Sequence, residues 1–295
     1  MKKYFLVLVL VLGLVSVADA NEIVNCFNYL ESQNYQLAKQ SGQSAVALYP
    51  TSAEAHGCLG AVYNKLGYFN LSIQELKLAE NLTNNKRFLG VIYSYLGTNY
   101  NSLGDLITAL AYYNRSLQID IELNKTEGIS RNLNNIALVY TKQGNYDKAL
   151  EYYNKSLQFT SNPSSIATTY NNIATVYSGK GDNNKAVEYY KKAVEFAQKA
   201  GDYHETAMYM INLGHGYTDL KNFSEAKYYL QEGLSMIQNL GDKYWEAYGY
   251  VSFGKLYLAQ NKKSLAKEYF KKAYNLFKAT GDNSDAQGVY EKYLK

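Results

Sequence analysis

Proline, tryptophan and histidine are scarce in this chain, and their scarcity excludes several kinds of protein. The 295 residues include 2 prolines, 1 tryptophan and 3 histidines. So little proline leaves few fixed breaks in helical stretches, which favours a nearly all-helical protein. The histidines His56, His204 and His215 stand far apart. Because neither a metalloprotease histidine motif nor a glycine-rich phosphate loop is present, we predict a protein that is not an enzyme and holds no cofactor or metal.

An excess of charge of one sign is also missing. Lysine and arginine total 30 and aspartate and glutamate total 26, which gives a net charge of +4. This imbalance is too mild to predict nucleic-acid binding. One compact basic cluster lies on the last repeat, at Lys262, Lys263, Lys267, Lys271 and Lys272. We interpret it as a solvated outer face, and the alternative is a surface for an acidic partner or a lipid headgroup.

Long apolar runs are absent except at the N-terminus. Lys2 and Lys3 precede an apolar stretch over residues 4–17, and Ala18-Asp19-Ala20 follows as a small-x-small cleavage site. This order predicts a secretory signal peptide over residues 1–20. The alternative is an uncleaved anchor, although the apolar run is short for a membrane span. We therefore expect an exported protein, in the periplasm or at the cell exterior of a bacterium, without a stable membrane span after cleavage.

A repeated pattern is abundant instead. Alanine recurs at positions 38, 109, 149, 186, 226 and 266, with serine at 72, and the steps between these anchors are 34 to 40 residues. A small residue stands twelve positions before each anchor. A tyrosine stands nine positions before each, at Tyr29, Tyr63, Tyr100, Tyr140, Tyr177, Tyr217 and Tyr257. Such spacing puts apolar residues on one helix face, and a period in this range predicts a solenoid of stacked units.

Turn signals divide each unit into two halves. Gly104-Asp105 and Gly181-Asp182 stand between the halves of their units, and Gly67 and Gly144 take the same place in two others. Glycine supplies the left-handed conformation that ends a helix, and an aspartate after it caps the next one. Each unit is therefore predicted to be a helix-turn-helix pair.

The Leu-Gly pairs at Leu59-Gly60, Leu96-Gly97 and Leu213-Gly214, together with the tyrosines and alanines above, resemble the tetratricopeptide repeat family. The later, longer copies are similar to the subtype found in kinesin light chains. The resemblance implies an all-α, right-handed superhelical solenoid over residues 21–281, with about seven helix-turn-helix repeats, and a C-terminal capping helix over 282–295. The repeats are expected near residues 21–52, 53–86, 90–123, 130–163, 167–200, 207–240 and 247–280.

In this family the first helices of successive repeats line a concave groove. The position two residues before the small residue is the one we expect to face it. That position holds Cys58, Tyr95, Asn135, Asn172, Asn212 and Ser252. Kinesin-light-chain-like repeats use asparagines there to hold a peptide backbone, and asparagine carries both a donor and an acceptor for this. The resemblance thus implies peptide binding by Asn135, Asn172 and Asn212.

Neighbouring positions complete the predicted site. Asn134 and Asn171 precede two of these asparagines, Arg131 lies four residues before Asn135, and His215 follows Gly214. Arg131 is placed to pair with an acidic ligand group. The alternative interpretation is that the asparagines are only a solvated polar lining in an asparagine-rich chain.

The two cysteines, Cys26 and Cys58, fall in the first helices of adjacent repeats. In an exported protein they can pair as a disulfide, and the alternative is two buried thiols. Two cysteines without a further ligand motif do not make a zinc site.

Two functions remain open at this point. The first is an exported scaffold that binds a peptide or protein segment in its groove. The second is a structural or assembly component of an envelope complex, which acts through its outer faces or ends and is able to associate with itself. The partner in either case is a protein or peptide.

Overall fold

The protein is described here by a computed structural model over residues 21–295, so the predicted signal peptide lies outside the described residues. Those residues form helices without a strand, as the sequence predicts. The helices are α1 (Asn21–Glu31), α2 (Tyr35–Leu48), α3 (Ala53–Lys65), α4 (Phe69–Leu82), α5 (Lys86–Ser102), α6 (Leu106–Glu122), α7 (Thr126–Lys142), α8 (Tyr146–Leu157), α9 (Pro163–Gly179), α10 (Asn183–Ala200), α11 (Tyr203–Asp219), α12 (Phe223–Leu240), α13 (Lys243–Ala259), α14 (Lys263–Thr280) and α15 (Asn283–Val289). Within residues 21–295 no helix combines the length and the apolar character that crossing a membrane requires.

The chain divides into two compact units. The first ends at Gln143 and contains α1 to α7, and the second begins at Gly144 and contains α8 to α15. Inside each unit, consecutive helices pack as pairs. The first helices of neighbouring repeats also touch directly, α3 with α1 and α5 in the first unit and α11 with α13 in the second. The first helices therefore form the more closely packed layer of each unit.

Local turn chemistry explains where the helices begin. Gly104 and Gly181 have φ angles of 84° and 77°, in the left-handed region that glycine adopts without a steric penalty. The Asp105 side chain accepts a hydrogen bond from the Thr108 amide at 3.1 Å. Asp182 caps α10 in the same way. Both predicted caps are therefore confirmed.

The repeat pattern is a packing pattern. Ala109 is fully buried, and Gly97 faces the ring of Tyr113, which is 1% exposed. A Cβ atom at Gly97 would lie 2.6 Å from that ring. Small residues thus let the two helices of a pair approach closely, while the large residue fills the space between them.

The C-terminal end covers the last repeat. After α15 the chain forms one π-helical turn over Tyr290–Leu294. The Tyr293 ring stacks on Phe270 of α14, with centroids 4.0 Å apart, and Ala286 and Val289 are buried beside it. This segment removes apolar surface of α14 from water, as a terminal repeat requires.

Candidate functional site

The surface formed by α9, α11 and α13 in the second unit carries a row of polar pairs, and we call it the first-helix surface. On α9 the residues are Ser164, Thr168 and Asn171, and on α11 they are Glu205, Tyr209 and Asn212. In both sets the spacing is four and then three positions, so each set lies along one helix face. The pairs are Ser164–Glu205 at 2.9 Å, Thr168–Tyr209 at 3.2 Å and Asn171–Asn212 at 2.9 Å. Side chains thus link α9 to α11 along this surface.

The asparagine pair joins two of the predicted site residues. Asn212 Nδ2 donates to Asn171 Oδ1, and both side chains are half-buried. The bond uses one of the two donors of Asn212 and one acceptor of Asn171, so Asn212 Oδ1 and Asn171 Nδ2 keep capacity for a ligand. Asn172 is also half-buried on α9 and has an interaction of its own.

The acidic end of the row is desolvated. Burial raises the pKa of Glu205 above its usual range, while the hydrogen bond from Ser164 opposes the shift. Burial also raises the pKa of Tyr209, again against a hydrogen bond to Thr168. The half-buried carboxyl group of Glu205 and the buried phenol of Tyr209 therefore lie near the start of α11, in contact with α9.

The first-helix surface also carries a basic pair, His215 of α11 and Lys255 of α13. Lys255 Nζ is 3.2 Å from His215 Nε2, and both side chains are half-buried. Burial lowers the pKa of His215 to about 4, and the charge of Lys255 adds to this while Asp219 opposes it. Burial and the charge of Lys292 lower the pKa of Lys255, again against Asp219. The imidazole of His215 is therefore neutral at neutral pH, and its Nε2 is placed to accept a hydrogen bond from Lys255 Nζ.

The other predicted site residues belong to the first unit. Arg131 is exposed on α7, and Asn134 and Asn135 are half-buried on the same helix. Burial raises the pKa of Tyr95 on α5, and the charge of Arg131 opposes that shift, so the two side chains share one neighbourhood.

The prediction that one repeat position always faces the groove is wrong at two of its six residues. Cys58 is fully buried and Ser252 is 2% exposed. Cys58 is bonded to Cys26, and the Ser252 hydroxyl donates to the Tyr248 carbonyl of its own helix. Small side chains at this position are buried between the helices, whereas the longer asparagine side chains remain partly exposed.

Five residues of the first-helix surface were missing from the predicted site: Ser164, Thr168, Glu205, Tyr209 and Lys255. Lys255 had a usable signal, because it follows Gly254 as His215 follows Gly214, 40 residues earlier. Glu205 and Tyr209 had a weaker one, because they lie seven and three residues before Asn212 and so on the same face of α11.

The two cysteines meet in the first unit. Cys26 of α1 and Cys58 of α3 form a disulfide with their Cα atoms 6.3 Å apart, and neither side chain is exposed. The alternative of two buried thiols is not what the structure has. The bond ties the first helix of one repeat to the first helix of the next.

Comparison with known proteins identifies the repeats. Family models described as tetratricopeptide repeat match residues 88–161, 165–239 and 247–280. A search of curated proteins found no significant match.

Solved structures share the fold at low sequence identity. The apo form of RapI is 15% identical with a TM-score of 0.72, over 90% of this chain and 100% of that one. Aspartyl phosphate phosphatase F from Bacillus subtilis is 17% identical with a TM-score of 0.68, over 86% and 69%. A Rap protein complexed with competence and sporulation factor is 12% identical with a TM-score of 0.64, over 94% and 96%.

Proposed function

Because this chain belongs to the tetratricopeptide repeat family, a family of protein-interaction scaffolds, we propose that it is an exported, non-catalytic scaffold that binds an extended peptide or protein segment along its first helices. The observation that carries the proposal is the Asn171–Asn212 pair, half-buried and linked at 2.9 Å on the first-helix surface. Two amides needed only for packing would be fully buried in the core. Two amides of a solvated lining would each bond to water and would not be joined by a hydrogen bond to each other.

The chemistry of an amide suits a peptide backbone. Each peptide unit offers one N–H and one C=O. Asn171 Nδ2 can donate to the C=O, and Asn212 Oδ1 can accept from the N–H. Such a contact binds the chain without fixing its sequence. One hydrogen bond contributes about 1 kcal/mol, so losing both amides weakens binding by roughly 30-fold.

The same mode extends to the first unit. Asn134 and Asn135 on α7 present amides at the equivalent repeat positions, and Arg131 adds an exposed cation beside them. A segment that binds α7 through these amides would gain a charge-assisted contact if it carries an acidic residue beside Arg131. Asn172 and His215 complete the residues that we assign to the binding surface.

Export is supported by two independent features. The sequence of residues 1–20 has the order of a secretory signal peptide. Cys26 and Cys58 form a disulfide, and disulfides persist in oxidising compartments such as the bacterial periplasm. An oxidised pair in protein purified from the source cell under thiol-blocking conditions would support this; a reduced pair would argue for the cytoplasm.

The experiment is a capture assay with the mature chain, residues 21–295, as bait for proteins of the cell envelope. The test variant is Asn171→Ala/Asn212→Ala. The matched control is Asn184→Ala/Asn239→Ala, which changes exposed asparagines of the second helices in the same unit. A partner retained by the wild type and the control but lost by the test variant supports the proposal. A partner retained by all three, at equal helicity by circular dichroism, contradicts it.

A second function, assembly through outer faces, has its own observation. The second helices of the first unit expose aliphatic side chains: Leu71 is 45% exposed, Leu78 is 47% exposed and Ile107 is 81% exposed. Self-association or a large partner would cover them. A sedimentation assay in which Leu78→Gln/Ile107→Gln disperses an oligomer, while Asn171→Ala/Asn212→Ala does not, would favour this function over the first.

A further inference from the structure

We infer that the exposed face of α14 is a docking surface for an anionic lipid bilayer. This face carries four exposed lysines, which we call the lysine stripe: Lys263, Lys267, Lys271 and Lys278. The inference goes beyond the proposed function, because the stripe lies on a second helix, whereas the peptide is proposed to bind along the first helices. It gives the scaffold a second partner, the surface of a membrane.

The lysine stripe is straight and contains no acidic side chain. At about 100° per residue, its four lysines fall within an arc of about 80° and extend over roughly 22 Å of helix. The one acidic residue of α14, Glu268, lies outside this arc and pairs with Lys272 at 2.7 Å. The stripe therefore presents a continuous line of positive charge to solvent.

The stripe lacks the ion pairs that lysines of other second helices have. Among residues 21–295, no ion pair, hydrogen bond or ring contact is formed by the side chains of Lys263, Lys267 and Lys271. Lysines of α8 and α10 instead have a glutamate four residues earlier at 2.6 to 2.7 Å, in the pairs Glu151–Lys155, Glu188–Lys192 and Glu195–Lys199. Like charges four residues apart repel each other on a helix, and an anionic partner would offset this repulsion.

The other lysines of the basic cluster on the last repeat have contacts within the fold. Lys272 lies over the Tyr269 ring at 4.8 Å in addition to its pair with Glu268, and Lys262 lies 6.0 Å from the centre of the Tyr257 ring. Lys278 donates to the neutral side chain of Asn283 and keeps its full charge. The structure thus separates the stripe from the rest of the cluster.

Two tyrosines beside the stripe favour a bilayer as its partner. Tyr274 falls inside the same arc of α14, and Tyr290, which is 44% exposed, packs against it with the ring centroids 5.9 Å apart. Tyrosine is enriched where lipid headgroups meet acyl chains, because its ring is apolar and its hydroxyl is polar. Lysines in a line around an exposed tyrosine suit a broad surface of anionic headgroups.

The experiment is co-sedimentation of the mature chain with vesicles of phosphatidylcholine alone or of phosphatidylcholine mixed with an equal amount of phosphatidylglycerol. The test variant is Lys263→Gln/Lys267→Gln/Lys271→Gln. Each lysine close to an anionic surface strengthens binding about fivefold, so we expect this variant to bind the mixed vesicles roughly 100-fold more weakly than the wild type. The wild type should bind phosphatidylcholine alone poorly, and its binding to mixed vesicles should weaken as salt is added.

Two further variants separate the position of the charge from its amount. The matched control, Lys155→Gln/Lys192→Gln/Lys199→Gln, removes the same charge from lysines that have ion pairs, and it should bind the mixed vesicles nearly as tightly as the wild type. Lys263→Arg/Lys267→Arg/Lys271→Arg keeps the charge of the stripe and should keep vesicle binding. Each variant is first checked for wild-type helicity and melting temperature.

Three results would each overturn the inference: no binding to mixed vesicles, equal binding to the two kinds of vesicle, or an equal loss of binding in the test variant and the matched control. Binding of soluble polyglutamate without binding of vesicles would also overturn it, because the stripe would then belong to an acidic protein partner.

The proposed function is tested separately, since the capture assay depends on Asn171 and Asn212 of the first helices. Failure of vesicle binding would leave that function intact if the asparagine variant still loses its partner. Conversely, stripe-dependent vesicle binding together with an unaffected asparagine variant would keep the docking surface and reject the backbone-binding role of Asn171 and Asn212.

Discussion

Breaking the disulfide should destabilise one part of the protein and leave the rest unchanged. Cys26 and Cys58 are separated by 32 residues, and the closed loop contains all of α2 and the start of α3. Constraining a loop of that length lowers the entropy of the unfolded chain by an amount worth roughly 3.7 kcal/mol at 25 °C. Because refolding with reductant removes no side-chain atom from this buried site, the reduced chain gains no cavity there.

The assay is amide hydrogen exchange on the mature chain, refolded either oxidised or with reductant. Peptides from α2 report the opening of the closed loop, and peptides from α10 in the second unit are the internal reference. A loss of roughly 3.7 kcal/mol corresponds to several hundred-fold faster exchange through unfolding of α2. The α10 peptides should exchange at the same rate in both samples, because repeats contact only their neighbours.

Equal protection of α2 in the two samples would refute the entropic reasoning. It would mean that α1 and α3 hold together through their apolar contacts alone, or that the unfolded chain is already compact in this region. Free thiols in the oxidised sample, measured after denaturation, would refute the premise itself.

Three other perturbations test the packing and the site. Gly97→Ala would bring a Cβ atom to 2.6 Å from the Tyr113 ring, so we expect the free energy of unfolding to fall by about 1–3 kcal/mol and the melting temperature to fall with it. The control Gly288→Ala has open space around it and should be neutral or stabilising. Deleting residues 282–295 should lower the melting temperature or solubility by exposing α14; an unchanged melting temperature would count against a capping role. Burial raises the pKa of Glu205, so its contribution to stability is full below the unfolded-state pKa and is lost as the pH rises through the folded-state pKa. Glu205→Gln should therefore gain stability relative to the wild type as the pH rises from the unfolded-state pKa of glutamate, about 4.3, through the raised folded-state pKa. A melting-temperature difference that is independent of pH would contradict this.

The fold could be predicted from the sequence because its determinants are local and repeated. Seven anchors at 34 to 40 residues, each with a tyrosine nine positions earlier, specify the same helix pair seven times. A single misleading residue, such as Ser72 in place of alanine, does not disturb the pattern. Ser72 is in fact fully buried, with its hydroxyl donating to the Gly60 carbonyl at 2.6 Å.

The candidate site could be predicted only in part, because the repeat position determines where a Cα atom lies but not how far its side chain is buried. Cys58 and Ser252 share the repeat position of Asn212 and yet are buried. The position of His215 after Gly214 predicts only that it lies in the groove, whereas its contact with Lys255 depends on two helices that lie 40 residues apart in the chain.

By itself, the sequence determined the class of fold, the helix-turn-helix unit and the residues that cap and end its helices. These follow from spacing along the chain and from backbone preferences, which act over a few residues. The tertiary structure alone decided which polar side chains meet: the disulfide between α1 and α3, the asparagine pair between α9 and α11, and the Lys255–His215 contact between α11 and α13. Those contacts depend on how closely neighbouring first helices pack, and that distance is set by the volumes of side chains in the layers beneath them, which no single repeat specifies.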